Sequence, residues 1–455
     1  MYNPFEYRGF WWLPGKYNEN VEGVLKYNPG EELVLELTGS LTDLKKVTED
    51  IQHDIILGFS SNGKKITLYK CLSISLNVSM PGFPTQTFIA SAAFIGEHFE
   101  SIEEVRFKEV NVHYFYLEEW LRISGMNINV EQNNRERYFC IHYYQPDDIK
   151  VLIDNWILAI YFTVNYSRDR ADGLKIKETA VVSFQFKEGL PFEEILNKII
   201  GRWEDFFTFA TGEAAFPSAI KAFVEKDSKH RETEIVYRRI NGSTTPKKLT
   251  YHDMLFTFRD IQEKFGAFLN NWFSKAEVLR PVYNLFFGLR YNPGGYLQYQ
   301  FLTLAQALET YHRRTKCNYV RSPDKYEKMM NEILNSIPNK YVEWLKEKLK
   351  YSNEPTLRHR IRDIFKDFGL VVDKYIGDVK GFINEVVEAR NYLTHYDKSK
   401  ETEKGKDHSE LYNLVKKLEV ILDVCLLYEL GFSLDKVEEL LSRNPRYRNL
   451  LENIE

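Results

Sequence analysis

Arg390 and His395 stand five positions apart near the end of a patterned apolar segment, and their chemistries complement each other. A guanidinium is permanently charged and planar, and offers two parallel donors to a carboxylate or phosphate. An imidazole titrates near neutral pH and can accept or deliver a proton. The segment Gly377 to Leu393 carries Phe382, Ile383, Val386, Val387, Ala389 and Leu393 at helical spacing. At about 100° per residue, Arg390 falls between Ile383 and Val386, inside that apolar stripe. A cation placed there needs an anionic partner, either a side chain or a ligand phosphate. On a straight helix His395 points about 140° away from Arg390. The pair can therefore cooperate only where the helix ends or distorts, or where a second chain completes the site, as in a symmetric dimer. The charged run Asp397 to Asp407 is expected to be an exposed, mobile loop that ends the helix near His395.

A second segment, Phe301 to Arg314, also reads as a helix, with Glu309 and His312 beside Phe301, Leu302, Ala305 and Leu308. A carboxylate and an arginine that each lie on an apolar helix face are natural partners. Glu309 is therefore expected to pair with Arg390, within about 6 Å, and His312 to support the site. The simpler readings are a structural ion pair for Arg390 with an exposed His395, a non-catalytic buried pair for Glu309, and a hydrogen-bonded core histidine for His312. Arg313, Arg314, Lys316, Arg358, His359, Arg360 and Arg362 form a basic cluster that could follow an RNA backbone, although Asp363 and Asp367 dilute it and a solvated helix face gives the same pattern.

These segments belong to the second part of a chain of 455 residues, long enough for two or three domains. Apolar residues make up 44% and charged residues 28%, the balance of a globular protein, and 31 Phe with 29 Tyr predict well-filled cores. A net charge of −4 excludes a global basic field, so any nucleic-acid contact must be local. Cys71, Cys140, Cys317 and Cys425 are scattered without a CxxC pair, which argues against a zinc ribbon or disulfide framework. No signal-like N-terminus and no apolar run of about 18 residues is found, so the expectation is a cytoplasmic protein without a membrane partner. HExxH, GxSxG and GxxxxGK[ST] are absent, and His53, His98, His113 and His142 are scattered, so no metal and no cofactor is expected.

The first half reads as β-rich. Ile66 to Leu76 alternates apolar and polar residues with Lys70 as the single break, and similar runs lie at Leu33–Leu37, Ile55–Phe59, Thr87–Ile95, Val105–Tyr116, Tyr138–Tyr144 and Ala180–Phe186. Such spacing predicts a sandwich or barrel-like fold. Phe10, Trp11 and Trp12 are expected to pack in a core or sheet edge. A helix follows, with an apolar stripe from Phe192 to Phe207. The polar stretch Asp227 to Lys248 is the candidate boundary, dividing the chain into 1–245, β-rich, and 246–455, helical. The clearest helix in the second region runs from Leu411 to Cys425.

Glu388-Ala389-Arg390-Asn391-Tyr392-Leu393-Thr394-His395 resembles the R-x(4–6)-H signature of HEPN ribonucleases, in which a polar residue such as Asn391 commonly follows the arginine. Phe301 to Arg314 resembles the helix that opens the ApeA-like HEPN subfamily. Gly9 to Pro14 with Val21 to Leu25 resembles the ApeA N-terminal domain. The resemblance implies an α+β multidomain protein: a β-rich sensing or regulatory domain, then an all-α HEPN helical bundle with its core at about 296–440. It further implies an anti-phage, abortive-infection role, with metal-independent RNA cleavage by the neighbouring 2′-hydroxyl. Arg390 and His395 would be catalytic and Asn391 would orient the phosphate or the histidine. RNA would be the substrate, the active unit a homodimer or higher oligomer, and a phage-derived trigger would act at the N-terminal domain. The alternatives are a HEPN scaffold that binds RNA or protein without cutting, and a ligand-binding receptor whose helical half only dimerises.

Overall fold

Alternating apolar residues fold the first part of the chain into antiparallel strands, in a computed structural model that describes residues 4–41, 51–77, 81–133, 136–169, 173–226, 229–237, 247–395 and 408–452. The strands are β1 (Phe5–Trp12), β2 (Val21–Tyr27), β3 (Leu33–Thr38), β4 (Gln52–Ser60), β5 (Lys65–Asn77), β6 (Thr85–Ile95) and β7 (Arg106–Tyr114). After the short helix α1 (Leu117–Leu121) come β8 (Met126–Asn133), β9 (Glu136–Tyr143), β10 (Ile149–Ile153), β11 (Trp156–Asp169), β12 (Gly173–Pro191), β13 (Pro217–Lys226) and β14 (Lys229–Tyr237). Strand β6 decides the topology. It pairs with β5 along one edge and with β3 along the other, so β6-β3-β2-β1-β4-β5 closes into a six-stranded barrel. Closure removes the free edges that an open sheet would expose. Past Ala90, β14 replaces β3 beside β6 and carries the sheet outward through β13, β7, β12, β11 and β10. Of the two expected forms, the barrel is the one that forms, with an open extension.

The alternation read through Ile66 to Leu76 does not hold as one buried and one exposed face, since Thr67 is buried along with its neighbours. Ile66, Leu68 and Tyr69 are buried, but Leu72 and Ile74 are exposed and Cys71 is buried instead. Lys70 has φ 48°, and the register with β6 shifts between Ser73 and Ser75. The shift adds one residue to β5 beyond Ser73, while Leu72 is already exposed ahead of it. Trp11 and Trp12 are buried while Phe10 is exposed, in keeping with core packing. A Cβ on Gly58 would lie 2.3 Å from the Trp11 ring, so only glycine lets that ring lie against β4.

The aromatic surplus fills a second core beside the sheet. Helices α2 (Phe192–Glu194) and α3 (Gly201–Thr211) are joined by a π-helical turn over Ile195–Ile200, which realigns the apolar stripe by one residue. Trp120 of α1 meets Phe206, Phe207 and Phe258 edge-on at 5.7–6.1 Å, and its indole N–H donates to the Phe256 carbonyl at 3.1 Å. Phe258 opens the one-turn helix α4 (Phe258–Ile261). These contacts tie residues 256–265 to the β-rich part, and the chain divides into two compact units, Met1–Gly266 and Ala267–Glu455. Residues 238–246, where the sequence boundary of 245 falls, lie outside the described residues.

The second unit is helical: α5 (Phe265–Tyr291, whose first residues belong to the first unit), α6 (Leu297–Thr315), α7 (Pro323–Asn335), α8 (Val342–Leu349), α9 (Leu357–Ile376), α10 (Val379–His395), α11 (His408–Leu430), α12 (Leu434–Arg443) and α13 (Pro445–Glu452). Helix α11 is buried on all sides from Val420 to Leu427, so it is the central helix, packed by α6 and α9. Its one buried acid in that stretch, Asp423, accepts from Tyr447 Oη at 2.7 Å and faces Arg290 at 3.4 Å. Burial raises its pKa, and Arg290, Arg446 and Tyr447 oppose that rise. One turn earlier Glu419 pairs with Arg446 at 2.6 Å and Lys416 at 3.0 Å.

One carboxylate in each unit couples its stability to acid, Glu97 in the first and Glu419 in the second. Burial disfavours the charge on Glu97, but hydrogen bonds from Lys65, the His98 amide and Arg231 outweigh it and hold its pKa at about 2. Burial is likewise outweighed at Glu419, by Arg446, Arg290 and Lys416, and its pKa is also about 2. A depressed carboxylate contributes stability above its unfolded pKa, near 4.5, and loses it as pH falls toward 2. Each linkage is worth about 3 kcal/mol. Glu97→Gln should lower the stability of the first unit at pH 7 by a similar amount and flatten its acid profile between pH 4.5 and 2. Denaturant titrations across that range check this, and an unchanged profile would dismiss the coupling.

Candidate active site

Helices α6 and α10 come together because each buries an apolar stripe. Phe301, Leu304, Ala305, Leu308 and Tyr311 are buried on α6, and Phe382, Ile383, Val386, Ala389 and Leu393 on α10. Where the stripes end, the polar residues Gln306, Glu309, Thr310 and Arg313 of α6 meet Arg390 and Thr394 of α10 around an open pocket of about 440 Å³. Leu302, Ala305 and Leu357 supply its apolar wall.

Arg390 is half-buried, as its place beside the stripe requires. Its Nη1 donates to Asn391 Oδ1 at 3.4 Å, and it makes no ion pair among the described residues. Thr394, one turn on, donates to the Arg390 carbonyl at 2.6 Å. A pocket-lining guanidinium without a carboxylate is an anion site in waiting, because its charge is neither fully hydrated nor neutralised.

The expected Glu309–Arg390 ion pair is not formed. Glu309 Oε1 accepts from Arg313 Nη2 at 3.3 Å and lies 3.9 Å from Arg360 Nε. Arg313 sits one turn along the same helix, and Arg360 is fully buried. A fully buried cation loses more without a counter-charge than a half-buried one, so Arg360 has the stronger claim on the carboxylate.

Arg360 must accordingly be removed from the basic surface expected to follow RNA. It is 0% exposed, and no phosphate reaches it. Its Nη1 donates to His312 Nδ1 at 3.1 Å and its Nη2 to Asn318 Oδ1 at 2.6 Å, with Glu354 at 3.7 Å. A guanidinium can only donate, so His312 Nδ1 is the acceptor and Nε2 carries the proton, 3.2 Å from Asp363 Oδ2. Burial lowers the His312 pKa, Asp363 opposes it, and Arg360 adds to it. His312 is thus a neutral histidine of the core, adjoining Arg360 behind the pocket wall.

The other cluster residues are divided. Arg313 lines the pocket but bridges Glu309 and Glu354, the latter at 2.8 Å. Arg358 is half-buried and bonded to Asn384 of α10, and Lys316 is paired with Asp367. Arg314 and Arg362 are exposed and make no ion pair among the described residues.

His395 is exposed at the last described position of α10. The helix is regular through it, so the separation of about 140° from Arg390 stands. Within one chain the pocket is lined by Arg390 and Thr394 and not by His395. Asn391 is exposed beside Arg390. The expected mobile loop, Asp397 to Asp407, lies outside the described residues.

Gln306, Thr310 and Thr394 were not singled out from the sequence. Gln306, Thr310 and Arg313 follow each other at helical spacing along one face, a polar stripe next to an apolar one, and that was the available signal. The burial of Arg360 was equally legible, since it falls among Leu357, Ile361 and Ile364 as Arg390 falls among Ile383 and Val386.

Among the described residues no three His, Cys, Asp or Glu side chains are grouped to hold a metal, and no helix is long and apolar enough to cross a membrane. A family model described as ApeA N-terminal domain 1 matches residues 6–272, and a second, described as Apea-like HEPN, matches residues 302–436. No curated protein and no solved structure gives a match.

Proposed function

Because the chain belongs to the ApeA family, with an ApeA N-terminal domain followed by an ApeA-like HEPN domain, we propose that it is an anti-phage defence protein whose helical unit is a metal-independent endoribonuclease. One observation carries the reading: an Arg390 guanidinium without an ion-pair partner among the described residues lines an open pocket, in a stretch that ends Arg390-x4-His395.

The ribose 2′-oxygen attacks the adjacent phosphorus. The 2′-O–P bond forms, the P–5′-O bond breaks, and the products are a 2′,3′-cyclic phosphate and a 5′-hydroxyl. Arg390 holds the non-bridging oxygens and stabilises the charge that builds on the phosphorane. Asn391 steadies the guanidinium through its side-chain oxygen. The His395 imidazole removes the 2′-hydroxyl proton, and a water molecule protonates the departing 5′-oxygen. Because α10 directs Arg390 and His395 to different sides of one helix, the site takes its His395 from a second copy of the chain across a two-fold axis. Arg314 and Arg362 contribute exposed positive charge for the RNA backbone. The β-rich region, 1–245, senses a phage-derived trigger and restrains the nuclease, and the protein works in the bacterial cytoplasm.

The test is chemical. The purified full-length chain should release RNA fragments bearing 2′,3′-cyclic phosphate and 5′-hydroxyl ends in the presence of EDTA, and a 2′-deoxy substitution at the cut position should abolish that cut. His395→Ala should reduce cleavage by about a hundredfold, the lower range for a lost proton carrier. RNA bound but left intact by the wild type, with no toxicity difference between wild type and His395→Ala in infected cells, would favour a non-cutting scaffold instead.

A further inference from the structure

The pocket beside Arg390 holds more polar chemistry than a phosphate needs. Its volume, about 440 Å³, falls in the range of small-molecule sites, roughly 300–1,000 Å³. Arg390 and Thr394 occupy one side of the lining and Gln306, Glu309 and Thr310 the α6 side, with Leu302, Ala305 and Leu357 as an apolar surface. Glu309 uses only Oε1 toward Arg313 and Arg360; Oε2 has no hydrogen-bond partner among the described residues. The Gln306 amide and Thr310 hydroxyl likewise make no side-chain hydrogen bond there, and Gln306 is exposed to the pocket. As a carboxylate beside Arg313 and Arg360, Glu309 presents acceptors and no donor.

We propose that this pocket receives one nucleobase of the RNA and selects guanine, with Glu309 and Gln306 reading its edge while Arg390 holds the attached phosphate. The inference rests on RNA as the substrate and adds which base is recognised. Guanine alone presents two adjacent donors, N1–H and N2–H, to a carboxylate. Adenine, cytosine and uracil each set an acceptor beside a donor, which a carboxylate repels. The Gln306 amide nitrogen can donate to guanine O6, and Leu302, Ala305 and Leu357 offer the flat base an apolar surface. Thr310 gives a hydroxyl that donates or accepts at the ribose or the base.

Equilibrium binding of GMP, AMP, CMP and UMP to the full chain, by isothermal titration calorimetry, tests this apart from any cleavage. GMP should bind about five- to a hundredfold more tightly than the other three, the range for one well-made bidentate base contact. Gln306→Ala and Glu309→Gln should each erase most of that preference, and Arg390→Ala should weaken all four nucleotides alike. Glu309 also neutralises buried Arg360, so Gln306→Ala serves as the variant that does not disturb the fold. Equal binding of the four nucleotides, no binding, or a GMP preference that survives Gln306→Ala would overturn the proposal. Guanine selectivity without RNA cleavage would remove the nuclease reading and keep the pocket. Cleavage by a chain that binds the four nucleotides equally would do the reverse.

Discussion

Arg390→Ala is expected to reduce RNA cleavage by about a hundred- to a thousandfold, the loss typical of removing one preorganised donor from a developing oxyanion. The same substitution should leave the thermal midpoint almost unmoved. Arg390 has no ion-pair partner among the described residues, so its removal strands no carboxylate, and the stability change should stay within about 0.5 kcal/mol. This combination separates a ligand-binding arginine from a structural one, which would cost stability and leave cleavage nearly intact. Arg390→Lys should recover little activity, because an ammonium keeps the charge but loses the planar fork that grips two phosphate oxygens. Mixing Arg390→Ala chains with His395→Ala chains tests the shared site. If each site draws its arginine and histidine from different copies, random pairing restores about a quarter of wild-type activity, since half the dimers then carry one intact site of two. No recovery on mixing, with both variants dimeric, would show that the two residues must come from one chain and would sink the trans arrangement.

The second large effect is on stability. Arg360→Ala should destabilise the helical unit by about 3–5 kcal/mol, the usual result of removing one member of a buried charge cluster. Arg360 is fully buried, donates to His312 and Asn318, and lies within 4 Å of Glu309 and Glu354. Without it, both carboxylates face each other across Arg313 alone, and the His312 Nδ1 acceptor loses its donor. At roughly 2–4 °C per kcal/mol for a unit of this size, the midpoint of helical unfolding should fall by about 10 °C. Circular dichroism at 222 nm against temperature measures it. A drop of only a degree or two would mean that water or a neighbouring lysine compensates the acids, and that Arg360 could after all belong to a basic surface. Arg362→Ala on the same helix is the contrast, because its side chain is exposed and its loss should change stability by less than about 0.5 kcal/mol.

Much of this molecule was legible in its sequence because periodicity is a local property. The helices α6, α10 and α11 follow from apolar residues three and four apart, and the strands β3, β4, β6, β7 and β9 from residues two apart. The anomaly of Arg390 was equally local, a cation in an apolar stripe, and the family resemblance attached to the same eight residues and to the helix of Glu309. Local patterns failed where backbone geometry departs from the ideal period. Lys70 takes a left-handed backbone in β5, beyond which Leu72 and Ile74 are exposed, and the turn over Ile195–Ile200 adds a residue to a helix that spacing alone reads as regular.

What each charged side chain pairs with is decided only when separate elements meet. Arg390 and Arg360 carry the same signature in the sequence, an arginine among apolar residues at helical spacing. Packing of α9 against α6 closes over Arg360 and delivers it Glu309, His312 and Asn318, whereas the gap between α6 and α10 leaves Arg390 open to a pocket. Glu309 is shared between Arg313, at 3.3 Å, and buried Arg360, at 3.9 Å, and not with Arg390; its attraction to the buried cation is strengthened by the low dielectric there. The residue types and their order determined that two guanidinium groups would need anions. Tertiary structure decided that Arg360 found its anions inside the protein and that Arg390 lines a pocket with no ion pair among the described residues.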